Sequence, residues 1–67
     1  MNIRDAATIT QNATGRRAFV TGKTLLLDSK ADRATAVAAL TEAGYTVEAS
    51  TAKFPGSPII KPAVRFI

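Results

Sequence analysis

The alternation of apolar and polar positions divides the chain into several short elements. Residues 6–11 are rich in β-branched side chains that alternate in polarity, a period-two pattern typical of a strand. Residues 12–15 read as a loop, since Asn and Gly tolerate left-handed backbone angles. Residues 16–28 are β-like again and are interrupted at Gly22, where a bulge or bend is expected. This pattern predicts one long bent strand or two short ones, with a hairpin around Gly15.

An Ala-rich stretch over residues 30–43 predicts a helix. Ser29 and Asp32 approximate a capping box at its start, and Gly44 supplies a stop at its end. At 100° per residue, one stripe is expected to face the core: Ala34, Val37, Ala38, Leu40 and Thr41. The opposite side is expected to face solvent: Asp32, Thr35 and Glu42.

Two further strands are predicted after the helix. Residues 45–50 alternate in polarity as a half-buried strand does, and residues 54–58 have the composition of a turn. Residues 59–67 alternate again and contain Pro62. Because proline lacks a backbone donor, this last strand is expected at an edge of the sheet.

Together these elements predict one α+β domain over residues 1–67. Its expected order is ββαβ(β), with a mostly antiparallel sheet of about four strands and a single helix packed on one face. The other sheet face is then open. The strand–helix–strand segment ending in Ala43-Gly44-Tyr45-Thr46-Val47 resembles half of a ferredoxin-like fold, a likeness that fixes no function.

Length and composition narrow the function classes. A chain of 67 residues has a thin core and usually needs further stabilisation from disulfides, a metal ion or a partner chain. This chain contains no Cys and no His. We therefore expect no disulfide, no metal and no cofactor. Self-association as a homodimer or a well-packed minimal core remain as sources of stability, and we favour the homodimer. Neither a signal peptide nor a membrane span is expected, which favours a cytoplasmic protein.

Charge adds a hypothesis about partners. The net charge is +4, and four of the five acids lie in residues 28–48, so basic residues dominate the segments on either side. A basic surface attracts nucleic acid or an acidic protein surface. Seven residues form the candidate binding site: Arg16, Arg17, Phe19, Lys23, Lys53, Lys61 and Arg65.

Phe19 has two interpretations. It shares a parity with Arg17 and Lys23, so on an open sheet face it would be an aromatic ring among cations, as base stacking requires. Large apolar side chains are scarce, however, and Leu25 and Leu27 share the same parity. The pattern therefore favours Phe19 as a core residue, with the open-face orientation as the alternative.

Catalytic motifs are not indicated. The Gly22-Lys23-Thr24 run matches the end of a phosphate-binding loop, but Arg17 stands where that loop needs glycine, and a strand follows instead of a helix. We expect no enzyme and no small-molecule substrate. The leading hypothesis is a nucleic-acid-binding module, and the alternative is a protein-interaction module, such as a phage-type inhibitor or adaptor of a host complex.

Overall fold

The computed structural model describes residues 3–54 and 56–67. Two helices and four strands follow one another in the order αββαββ: α1 Ile3–Thr14, β1 Phe19–Thr21, β2 Thr24–Leu26, α2 Lys30–Glu42, β3 Val47–Lys53 and β4 Ile60–Phe66. The strands form one antiparallel sheet in the order β1-β2-β4-β3. The predicted α+β class and the antiparallel four-stranded sheet are confirmed.

The predicted single helix is wrong, because α1 occupies the segment expected to be the first strand. Ala6, Ala7 and Thr10 are buried at helical spacing. The hydroxyls of Thr8, Thr10 and Thr14 each donate to the carbonyl four residues earlier, at 3.0, 2.9 and 2.9 Å. These local hydrogen bonds satisfy the threonine side chains within the helix, so the β-branched composition does not prevent it.

The predicted hairpin around Gly15 is also wrong. Gly15 instead ends α1 with a φ of 73°, and its N–H donates to the carbonyl of Gln11 at 2.8 Å. The hairpin forms at Gly22, which has a φ of 58° and opens the two-residue turn between β1 and β2. Such a turn favours glycine at its first position. Of the two alternatives for residues 16–28, one long bent strand or two short strands, the structure has the two short strands, with a hairpin turn at Gly22 in place of the expected bulge or bend.

Helix α2 forms where the sequence predicts it. The Ser29 hydroxyl accepts from the backbone N–H of Asp32 at 3.1 Å, which satisfies one of the free donors at the helix start. The helix ends before Gly44, which has a φ of 96°.

The predicted orientation of α2 is wrong in part. Val37 and Leu40 pack on the core as predicted, but Asp32, expected in solvent, is buried on the same side as Ala36. Ala34, Ala38 and Thr41 are exposed instead. Asp32 can be buried on this side because the Arg16 guanidinium donates to its carboxylate and compensates its charge.

Strand β4 is central, not the edge strand that Pro62 suggested. The Pro62 carbonyl accepts from the N–H of Leu27 at 2.8 Å, so the backbone nitrogen of Pro62 also points toward the β2 side of the strand. Pro62 lies just beyond the last paired residue of β2, Leu26. Proline is tolerated there because no strand residue needs its N–H. The predicted turn over residues 54–58 lies at the β3–β4 connection, although Pro55 is outside the described residues.

Both helices pack on one face of the sheet. The core cluster joins helix alanines, among them Ala6 and Ala36, to Leu25, Leu40 and Val64, which are fully buried. Small helix side chains allow the helix backbones to approach the sheet closely. The face of the sheet turned away from the helices is left without a covering layer among the described residues.

A pair of substitutions tests the orientation of α2. Ala36→Leu should lower the free energy of unfolding by about 1–3 kcal/mol, because an added side chain has no room between the helix and the sheet. Ala31→Leu makes the same chemical change on the exposed side and should stay within about 0.5 kcal/mol of the parent. Urea unfolding of both variants measures the difference, and equal losses would contradict the orientation.

Candidate functional site

The register defines which side chains point away from the helices, since directly paired residues share a face. Phe19 is opposite Leu26, Leu26 is opposite Ala63, and Ala63 is opposite Ser50. We call this surface the open face. Its strand residues are Phe19, Thr21, Thr24, Leu26, Glu48, Ser50, Ala52, Lys61, Ala63 and Arg65.

An aromatic pair covers the middle of the open face. Leu26 and Ala63 are only 3% and 0% exposed, although neither of the two described helices lies on this side. The rings of Phe19 and Phe54 have centroids 5.0 Å apart and planes tilted by 45°. Phe54 continues the alternation of β3 past its end, with its N–H donating to Ile59 at 3.0 Å. The two rings therefore converge over this face from its two outer strands.

Both rings of the pair keep a large exposed surface. Phe19 is 44% and Phe54 is 36% exposed. Of the two orientations considered for Phe19, the structure has the open-face one, and the core interpretation favoured by the sequence is wrong. The two-residue turn that begins at Gly22 explains the difference, because it pairs Phe19 with Leu26 and not with an odd-numbered leucine. Leu25 and Leu27 turn to the helices, and Leu26 does not.

Arg16 is held in an ion pair. It lies between α1 and β1, and its guanidinium donates to both carboxylate oxygens of Asp32 at 3.1 and 3.3 Å. The Asp32 side chain is 13% exposed. Because this carboxylate is largely removed from water, the arginine compensates a charge that would otherwise be costly to bury. The contact ties the loop before β1 to the start of α2.

Lys61 and Arg65 both lie on the open face, and each faces an acid. The Lys61 ammonium is 3.9 Å from Asp28, and the Arg65 guanidinium contacts Glu48 across the β3–β4 pair. All four side chains are substantially exposed. Exposed pairs of this kind contribute little to stability, about 0–1 kcal/mol each, so their cations are available to other anions.

The remaining candidates are cations without an ion-pair partner among the described residues. Arg17 lies in the exposed segment before β1, and Lys23 is in the β1–β2 turn. Lys53 ends β3 opposite Ile60, on the helix side of the sheet. The seven predicted residues are thus not one cluster: the structure brings Phe19, Lys61 and Arg65 to the open face, places Arg17 and Lys23 at its β1–β2 side, and turns Lys53 away.

Sequence reasoning missed Phe54. It falls in a stretch with the composition of a turn, where an aromatic side chain is not assigned to a face of the sheet. Ile59, Ile60 and Ile67 were also missed as surface residues, and all three are exposed. The one signal for Phe54 is an aromatic directly after a cation, Lys53, at the end of an alternating segment.

The candidate site is a surface and not a cavity. Over residues 3–54 and 56–67 there is no pocket and no group of three metal-ligating side chains. Neither of the two helices described is long and apolar enough to cross a membrane. Comparison of the chain with protein-family models, curated proteins and solved structures finds no match.

The two neighbouring arginines provide a matched test of the Arg16 ion pair. Arg16→Ala should lower the free energy of unfolding by about 1 kcal/mol or more, because it leaves the Asp32 carboxylate without its cation. Arg17→Ala removes the same charge from an exposed side chain and should change it by less than about 0.5 kcal/mol. Thermal and urea unfolding at low ionic strength compare them. Indistinguishable variants would contradict a structural role for Arg16.

Proposed function

We propose that the protein binds single-stranded nucleic acid, DNA or RNA, on the open face. The observation that carries the proposal is the exposed Phe19–Phe54 pair on a sheet surface without a covering helix. Bases of any sequence stack on aromatic rings, and each stacked base contributes about 1–3 kcal/mol. A duplex keeps its base faces buried, so exposed rings favour single strands as the ligand.

The charges around the pair support the same ligand. Arg17 and Lys23 flank β1, the strand that carries Phe19, and have no carboxylate partner among the described residues. Lys61 and Arg65 lie on the open face in weak exposed pairs, from which phosphate oxygens could displace the carboxylates at small cost. The ligand's backbone would thus meet cations on both sides of the rings.

Arg16 and Lys53 have different places in this proposal. Arg16 forms an ion pair with Asp32 at the start of α2, so we do not assign it a phosphate contact. Lys53 lies on the other side of the sheet and contributes to the general positive potential, which steers a polyanion toward the protein. No enzymatic step is proposed.

Leucine substitutions separate stacking from hydrophobic cover. Phe19→Leu and Phe54→Leu keep an apolar side chain over Leu26 and Ala63 but remove the ring, so affinity should fall about fivefold or more for each. Phe66→Leu is the control: Phe66 is a core ring in edge contact with Tyr45, and its loss should reduce stability without a specific loss of binding. Fluorescence anisotropy with labelled single-stranded oligonucleotides measures the affinities.

The salt dependence of binding tests the phosphate contacts. Arg17→Ala and Lys23→Ala should each reduce the slope of log affinity against log salt by about 0.7, the value expected for one contact on a single strand. Arg16→Ala should reduce it less, because this cation is already paired with Asp32. Wild-type protein that binds neither single-stranded DNA nor RNA at about 50 mM salt would overturn the proposal.

A protein-interaction module is the second candidate. Ile59 and Ile60 are 58% and 64% exposed at the end of the β3–β4 hairpin, which is an unusual place for two adjacent aliphatic side chains. The positive net charge would attract an acidic partner, and the two exposed isoleucines would fit an apolar depression on its surface. Such a partner would make the protein an inhibitor or an adaptor. In that case Ile60→Ser should abolish the activity, while Phe19→Leu should have little effect.

A further inference from the structure

Strand β3 is a seven-residue edge of the sheet, and its free backbone groups can be identified. The bonds at its two ends, from Ile67 N–H to Thr46 and from Phe54 N–H to Ile59, both join even-numbered residues of this segment to the β4 side. Bonded and non-bonded pairs alternate along an antiparallel ladder. The odd-numbered residues therefore turn their N–H and C=O groups outward: Val47, Ala49, Thr51 and Lys53.

Little covers this edge. Arg33 donates to the Ser50 carbonyl at 2.7 Å, but that carbonyl belongs to the set turned toward β4. Among the outward groups, the described residues provide one long contact, from the Ser50 hydroxyl to the Thr51 carbonyl at 3.4 Å. An edge strand of this length, with its only inward charge at its last residue, Lys53, is a template for pairing with another strand.

The flank of α2 above β3 has matching properties. The Arg33 contact with Ser50 fixes which side of the helix lies over β3. Continuing around the helix from that side, the next residues are Val37, then Lys30 at the helix start, then Thr41, Ala34 and Ala38. Beyond the first turn this flank is small or medium in size and uncharged, and Ala34, Ala38 and Thr41 are exposed. This is the small-residue stripe that the sequence predicted to be buried.

We propose that two copies of the chain associate through β3, antiparallel about a two-fold axis, to form a continuous eight-stranded sheet. With Ser50 opposite Ser50 of the second copy, Val47 pairs with Lys53 and Ala49 with Thr51, so every outward group of β3 finds a partner. No like charges face each other, because Glu48 lies opposite Ala52. Shifting the register by two residues leaves part of the edge unpaired.

The same axis explains why the occupant is a second copy. Strands pair at about 4.8 Å, so the two α2 helices are brought side by side and antiparallel on the same sheet face. Helices with small side chains at their contact approach to about 8 Å, which Ala34, Ala38 and Thr41 permit. One two-fold operation thus satisfies both the open strand edge and the exposed helix stripe, as an isologous interface requires.

Charges introduced at Ser50, on the two-fold axis, test the register of the proposed strand pair. The monomer mass is 7.0 kDa, and sedimentation equilibrium of the wild type should approach twice that value with rising concentration. Ser50→Lys and Ser50→Glu each place like charges directly opposite one another and should weaken self-association tenfold or more. Mixing the two variants should restore the dimer as a heterodimer, which unfolding of either variant cannot imitate.

Two further comparisons separate the strand from the helix contribution. Thr51→Pro removes an outward N–H without touching a β3–β4 hydrogen bond, and should yield a folded monomer, checked by circular dichroism. Ala34→Glu should weaken the dimer, whereas Thr35→Glu, on the other flank of the exposed side, should not.

A wild-type chain that stays monomeric at about 1 mM would overturn the proposal. So would a dimer that survives both Thr51→Pro and the Ser50 variants. In either case, rapid hydrogen exchange at Ala49 and Thr51 would indicate an edge left free for a strand of another protein. Failure of nucleic-acid binding would not affect these outcomes, because none of the tests contains a nucleic acid.

Discussion

The two helices approach one face of the sheet through alanines, and this close packing determines the rest of the structure. Ala6, Ala7 and Ala36 occupy positions where larger side chains would hold the helices away from Leu25 and Val64. The helix side of the sheet holds most of the buried aliphatic side chains, among them Leu40, whereas Ile59 and Ile60 are exposed. No second core forms on the opposite face among the described residues, and the aromatic pair from the sheet margins lies on that face.

The character of the open face follows from this distribution of apolar side chains. Leu26 and Ala63 alone would present an apolar strip to water, and Phe19 and Phe54 reduce its exposure from the two outer strands. A ring that covers a strip from the side leaves its own outer surface in solvent. The same two side chains therefore stabilise the sheet and provide the surface on which a planar ligand would stack. Stability and the proposed binding are not separable at these positions by alanine substitution.

Local signals in the sequence were sufficient for α2, the four-stranded sheet and the break at Gly22, because capping, periodicity and glycine act over a few residues. Side-chain contacts that the alternation of polarity does not reveal determined the rest. Residues 6–11 alternate as a strand does, but they form a helix in which Ala6 and Ala7 pack in the core and the threonine hydroxyls donate to carbonyls of the same helix. The sequence pattern places Asp32 in solvent, but its ion pair with Arg16, sixteen residues earlier, allows it to be buried. The orientation of Phe19 likewise depends on its pairing with Leu26.

The position of β4 determines when the sheet is able to form. Ile60–Phe66 comes last among the strands in chain order, yet it lies between β2 and β3 and pairs with both. During synthesis, α1, the β1–β2 hairpin and α2 emerge before the strand that joins the sheet. Strand β3 likewise emerges before β4, the strand with which it pairs. A chain cleaved before residue 60 would retain three of the four strands but lose every contact that joins the two halves of the sheet. Folding must therefore wait for the arrival of the central strand and then complete cooperatively, with its slowest step set by long-range pairing.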